Sequence, residues 1–185
     1  MMPTEKEMKH AIQTIQTGGL LVYPTEAVFG LGCDYRNQAA VSRLLTLKQR
    51  DVSKGLILIA SHVQQILPLI QLKDQNHLAR AIKTWPGHNT WVFQASQSVP
   101  DWISGQHDSV AVRVSTHPTI KYLCDALGHA IVSTSANISG HPTATNIEQA
   151  QSQFGDSIDC FLDAPLGQAS QPSTIRKADT GEVLR

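Results

Sequence analysis

A chain of 185 residues, 41% of them apolar, is long enough to bury roughly two thirds of the surface its unfolded form exposes, so it needs neither disulfides nor a structural metal. Fifteen basic residues balance fifteen acidic ones, which excludes a chain held to nucleic acid or membrane by bulk charge and leaves only local clustering. The three cysteines, Cys33, Cys124 and Cys160, lie far apart without a CxxC pair, predicting free thiols in a reducing compartment, the cytoplasm, and excluding a disulfide framework or zinc site.

The opening MMPTEKEMKH lacks the apolar core and small-residue cleavage site of a leader, and no apolar run approaches a membrane span, so a soluble protein is expected. Met8, Ile12 and Ile15 recur at helical spacing before Gly18-Gly19, predicting a helix over about 5–17. Leu20 to Tyr23 reads as a strand bounded by Pro24. Val41, Leu44, Leu45 and Leu47 mark a helix ending near Lys48, and Leu56 to Ile59 is a buried strand. Helices follow over 66–70 and 78–82, strands over 90–93 and 110–114, a helix over 118–127 and a strand over 130–132. Asn146 caps a helix through Phe154, and short strands close the chain at 158–162, 174–176 and 183–184. The alternation predicts one α/β domain with a twisted, mixed sheet flanked by helices.

Four segments carry more polarity than packing requires. In Tyr23-Pro24-Thr25-Glu26, Pro24 fixes a turn that presents the Thr25 hydroxyl at a strand end, and Gly30 and Gly32 permit close backbone approach; a plain Pro-Thr turn is the competing reading. Lys48-Gln49-Arg50 falls at a helix end, where cations favour the helix dipole and where both side chains are expected to be exposed. Arg50 also offers a fork for carboxylate or phosphate, and Lys48 a mobile charge. Arg113, inside the apolar strand Val110 to Val114, must face solvent or hold an anion, because an unpaired buried guanidinium is costly. Ser133 to Gly140, STSANISG, places four hydroxyls and a carboxamide in seven residues behind a strand, which suits either phosphate and carboxylate oxygens or a network of turns. A Ser-His-Asp triad with His129 or His141 is disfavoured, since the G-x-S-x-G elbow is missing and eight histidines make chance proximity common. Trp85-Pro86-Gly87 reads as a rigid aromatic turn.

Taken together, the Gly-Gly start, the PTE loop, the Lys-x-Arg pair, KGLILIA at 54–60, WPG, AVRV, STSAN-x-SG and Pro-Ser-x-Ile at 172–175 resemble the YrdC-type threonylcarbamoyl-AMP synthases, in their bacterial TsaC form, over essentially the whole chain. The resemblance implies a YrdC-like fold open into a large, positively lined cavity. It implies condensation of L-threonine, bicarbonate and ATP into threonylcarbamoyl-adenylate and pyrophosphate, with Mg2+ held mainly by the phosphates and no protein metal site. A partner complex would then carry the group to adenosine 37 of tRNAs reading codons that begin with A; direct contact with tRNA stays open. By the same resemblance Lys48, Arg50, Ser135 and Asn137 are the catalytic tetrad. Thr25, Arg113 and Ser133 meet threonine, and Arg50, Lys54, Ser135 and Asn137 meet the nucleotide. Two departures stand out: His88-Asn89 where the family commonly has a proline and an apolar residue, expected to loosen a cavity wall, and an end at Arg185 without the longer relatives' C-terminal domain. A carbamoyl-adenylate-forming carbamoyltransferase domain and a non-catalytic RNA-binding module are the alternatives, the latter disfavoured by 5% aromatics and zero net charge.

Overall fold

The computed structural model describes residues 2–185, and its first helix begins at the position expected from the apolar spacing. Thr4 accepts from the Glu7 amide and Glu7 reaches back to the Thr4 amide, a reciprocal pair that starts α1 (Glu5–Gln16). Met8, Ala11 and Ile15 form its buried face. After Gly18, at φ 83°, the chain enters β1 (Leu21–Pro24), which is buried throughout. It then doubles back as β2 (Phe29–Gly32), antiparallel to β1.

The sequence pattern predicts only a loop at β2. Phe29 and Leu31 alternate with Gly30 and Gly32, so no apolar run advertises the strand. Gly32 is required by close approach: a Cβ there would lie 2.2 Å from the Val132 carbonyl oxygen. Asn37 caps α2 (Gln38–Lys48), which ends at Gln49 in the left-handed region, φ 50°. β3 (Ile57–Ala60) leads to α3 (Val63–Ile66), and a 3-10 turn over Leu67–Leu69 replaces the helix predicted for 66–70. Pro68 has no N–H for an α-helical ladder.

The chain continues through α4 (Gln75–Ile82), β4 (Asn89–Gln94), α5 (Asp101–Ser104), β5 (Ser109–Val114), α6 (Pro118–Leu127), β6 (Ile131–Val132), β7 (Thr134–Ser135), α7 (Ile147–Phe154), β8 (Cys160–Phe161) and β9 (Thr174–Lys177). Of the closing strands predicted, 158–162 contracts to β8, and 183–184 to a single bridge between Val183 and Arg176. Among the described residues no helix is long and apolar enough to cross a membrane.

The architecture is α/β with mixed pairing, as expected, but the strands divide into two sheets. One has the order β7-β2-β1-β8, the other β6-β3-β5-β4-β9. They meet where the Val132 amide donates to the Cys33 carbonyl at 3.0 Å. In the five-stranded sheet, Leu58, Ala60, Trp91, Phe93, Val110, Val112 and Val114 belong to the larger apolar core. The alternate residues Ile57, Ile59, Thr90, Val92, Ala111 and Arg113 line an open face. That period-two division is what positions the site. Gly32→Ala should cost about 2 kcal/mol or more through backbone displacement, read by urea denaturation. Gly30→Ala, whose Cβ would meet a Thr25 methyl at 3.0 Å, should cost less, and a reversed order would refute the close-approach account.

Candidate active site

The open face carries two adjoining cavities. The smaller, about 290 Å³, is lined by Thr25, Arg113, Ser133 and Ser135 together with Ser173 and His88. The larger, about 700 Å³, is lined by Lys54, Lys73, Lys177, His77 and His107, with Asp108 and Asp179 among them. Arg50, Leu56, Ile57 and Arg185 border both. Loops from both sheets thus meet over one patch: Thr25 follows β1, Ser133 links β6 to β7, and Arg50 follows α2.

Arg50 has no acidic partner among the described residues. Its Nη2 donates to the Gly55 carbonyl at 3.0 Å, and its buried Nε has no partner. Burial, with Arg185 nearby, lowers its pKa; the guanidinium stays charged, and an anion would satisfy it.

Arg113 resolves the choice posed by its apolar strand: it is buried and paired. Its Nη2 meets a Glu26 carboxylate oxygen, and Ser115 Oγ donates to the other Glu26 oxygen at 2.6 Å. The His117 amide in turn donates to Ser115 Oγ at 3.0 Å. Arg113 Nε, like that of Arg50, is buried without a partner. The Thr25 hydroxyl donates to the Val28 carbonyl at 2.7 Å, closing the PTE turn. The 164–173 segment braces this turn, with the Gly167 amide bonded to the Thr25 carbonyl and the Ala169 amide to the Glu26 carbonyl. Gly167 packs so closely that a Cβ would lie 2.7 Å from Glu26 Cα.

Lys48 departs from the exposed helix end expected of it. It is 2% exposed, lines neither cavity, and donates from Nζ to the carbonyls of Ser135 and Asn137, the latter at 2.7 Å. The Ser139 amide returns a bond to the Lys48 carbonyl at 2.9 Å. The reason is the path of the loop, which folds over the end of α2 and leaves its carbonyls facing the ammonium. Burial, and then the like charge of Arg50, bring Lys48 from 10.5 down to about 8, while the two carbonyl acceptors favour the charged form at neutral pH.

Asn137 is also turned inward. Its amide donates to the carbonyls of Ile138 and His141, both at 3.0 Å, and its oxygen accepts from Ser135 Oγ at 2.6 Å. Thr25, Arg113, Ser133, Ser135 and Arg50 therefore border the small cavity, Lys54 the large one, and Lys48 and Asn137 support the loop between. Sequence reasoning missed Glu26 as the partner of Arg113, although it stands in the PTE motif. It also passed over Ser173, quoted in Pro-Ser-x-Ile without a role, and Arg185, for which the sequence holds no signal. His88, expected to loosen the wall, ties it instead, through Nε2 to the Gln171 carbonyl at 2.7 Å.

Among the described residues no three His, Cys, Asp or Glu side chains group closely enough to hold a metal ion. Glu26, the carboxylate beside the small cavity, has both oxygens engaged. These residues do not form a cage for Mg2+.

A family model described as Sua5_yciO_yrdC, telomere recombination, matches residues 13–185. The chain belongs to this family. The threonylcarbamoyl-AMP synthase of Coxiella burnetii (strain RSA 493 / Nine Mile phase I) is 46% identical over 180 residues, 97% of each chain. That of Pseudoalteromonas translucida is 46% identical over 186 residues, covering both chains fully. Among solved structures, P. abyssi Sua5 complexed with L-threonine superposes with a TM-score of 0.92 at 30% identity, covering 100% of this chain and 55% of that one. The present chain thus spans just over half of that protein's length.

Two outcomes test the site's electrostatics. Removing the Glu26 carboxylate leaves Arg113 buried without its counter-charge, so Glu26→Ala should cost about 3 kcal/mol of stability. Glu26→Leu combined with Arg113→Met should recover part of that loss, and a strictly additive double variant would show the two are not coupled. For Lys48, the folded chain releases its proton near pH 8, whereas an unfolded lysine keeps one to about 10.5. The group therefore penalises folding most while charged, and stability rises with pH across that window, by at most ~1.4 kcal/mol per pH unit. The stability of the native chain minus that of Lys48→Met should increase between pH 8 and 10; a flat difference would place the titration elsewhere.

Proposed function

We propose that the chain is a threonylcarbamoyl-AMP synthase, condensing L-threonine, bicarbonate and ATP into L-threonylcarbamoyladenylate and pyrophosphate. The product serves threonylcarbamoyladenosine formation at position 37 of tRNAs reading codons that begin with A. The observation that carries this reading is a guanidinium without an acidic partner among the described residues, Arg50, at the border of two cavities of unequal size. The smaller suits an amino acid and the larger a nucleotide. The relatives named for this activity match along the whole chain, and the threonine complex of Sua5 shares the fold.

In this reading residues 1–185 form one catalytic domain. Threonine lies against Thr25, Arg113 and Ser133, its carboxylate drawn to the guanidinium side. The triphosphate lies across Arg50, with Lys54 and Ser135 beside it. Threonine's deprotonated amine attacks bicarbonate with loss of water, or carbon dioxide, its dehydrated form, with loss of a proton, and either route gives a carbamate. A carbamate oxygen then attacks the α-phosphorus of ATP, and pyrophosphate leaves. Both partners are anions, so the protein's task is positioning and charge neutralisation, with no covalent intermediate. Arg50 supplies charge directly. Lys48 and Asn137 act by fixing the loop that bears Ser135. Mg2+ arrives with ATP and is held mainly by the phosphates. The enzyme works in the cytoplasm and passes its product to the proteins of the tRNA threonylcarbamoyl transferase complex.

Pyrophosphate release should require threonine and bicarbonate together, and mass spectrometry should find the threonylcarbamoyl-adenylate. Release that ignores threonine, or that needs carbamoyl phosphate, would refute the assignment and favour the carbamoyltransferase alternative. Arg50→Ala should lower turnover about a hundredfold with little change in melting temperature, since it bonds only one carbonyl.

A further inference from the structure

His88 is half-buried at the mouth of the small cavity, between the Trp85-Pro86-Gly87 turn and β4. Its ring nitrogens have distinct partners. Nε2 lies 2.7 Å from the Gln171 carbonyl, and a carbonyl only accepts, so Nε2 carries a proton. In the neutral ring Nδ1 is then a lone pair. That lone pair lies 3.4 Å from Arg113 Nη1, a donor. Arg113 Nη2 is already held by Glu26. The guanidinium is thus gripped at both terminal nitrogens, from the PTE loop on one side and from His88 on the other.

The anchor of His88 is itself part of the cavity wall. Gln171 precedes Pro172 and Ser173, which line the same cavity, and Ser173 Oγ bonds Thr90 Oγ1 at 2.9 Å. Two cross-links, His88 to Gln171 and Thr90 to Ser173, therefore fasten the start of β4 to the 171–173 segment. The His88 ring of the first also faces the cavity's arginine through Nδ1.

We infer that His88 is a positioning residue for the threonine half of the reaction, orienting Arg113 through the Nδ1 lone pair while Nε2–H locks the ring to Gln171. The inference rests on the proposed function for its substrate. Glu26 cancels the charge of Arg113 but leaves the guanidinium plane able to rotate about one contact; the second contact, from a ring fixed on the opposite wall, determines the direction of its free donors. Steric fit alone would not need a nitrogen here. An apolar side chain of similar size fills the space but orients nothing.

The test uses the full chain and two variants. His88→Phe removes both bonds, while His88→Asn keeps an acceptor at the distance of Nδ1 from the backbone. With pyrophosphate release as the assay, His88→Phe should raise the KM for threonine roughly three- to tenfold, the scale of one lost hydrogen bond. The KM for ATP and kcat should change by less than about twofold, since the lost bond is made to Arg113 and not to a residue placed beside the nucleotide. His88→Asn should restore most of the threonine KM. Equal rises in both KM values, or an unchanged threonine KM in His88→Phe, would overturn the inference while leaving the proposed activity standing. Absence of threonine-dependent release in the native chain would instead refute that activity. The positioning claim then faces a readout that needs no turnover: long-range 1H–15N spectra should show His88 as the Nε2–H tautomer, and the Arg113 Nε–H should exchange faster in His88→Phe than in the native chain. An Nδ1–H tautomer, or unchanged exchange, would overturn it.

Discussion

The crossing at Ser133 is the constraint on which the site depends. Within five residues the chain leaves the five-stranded sheet as β6 and joins the four-stranded sheet as β7. Ser133 is the hinge residue, its amide bonded to the Ile57 carbonyl at 2.9 Å and its neighbour Val132 bonded to Cys33. A change of sheet forces two strand ends and their polar loops into one corner. It also explains Gly32, since no side chain fits where the two sheets touch. The cavity is thus a seam between sheets, walled by backbone that both sheets hold in place.

Each loop at that seam is held from beneath by a buried charge. Arg113 and Glu26 join the second sheet to the PTE turn, and Lys48 joins the end of α2 to the Ser-Thr-Ser-Ala-Asn loop. The two solutions differ in kind. Arg113 is neutralised by a carboxylate, whereas Lys48 meets only carbonyl dipoles and keeps its net charge. Burying either has a desolvation cost that hydrophobic packing would avoid, so their presence reflects geometry imposed on loops rather than added stability.

Much of the scaffold was legible because periodicity is a one-dimensional signal. Met8, Ile12 and Ile15 marked α1, and the apolar segment Val110 to Val114 marked β5, to within a residue or two. β2 and β7 were not legible, since the glycines between Phe29 and Leu31 and the hydroxyl residues of β7 give no apolar run, and their strand character comes from backbone pairing with distant segments. The same division holds for the site. Thr25, Arg50, Arg113, Ser133 and Ser135 stood out as polar residues beside apolar strands, and the fold gathers them at one cavity. The inward turn of Lys48 and Asn137, and the pairing of Arg113 with Glu26 across 87 positions, arise from contacts between distant segments, which no local pattern encodes.

The position of Arg50 makes the two cavities one electrical unit. Its guanidinium borders both, and Arg185 beside it reinforces the same potential. An anion entering either cavity withdraws positive potential from the other, and by thermodynamic necessity the effect is mutual and equal in free energy. Two anions can share the patch only if a cation accompanies one of them or if they arrive oriented so that their charges stay at opposite ends. Anions in the two cavities are therefore coupled through the guanidinium groups of Arg50 and Arg185, which border both, and this coupling needs no movement of the sheets.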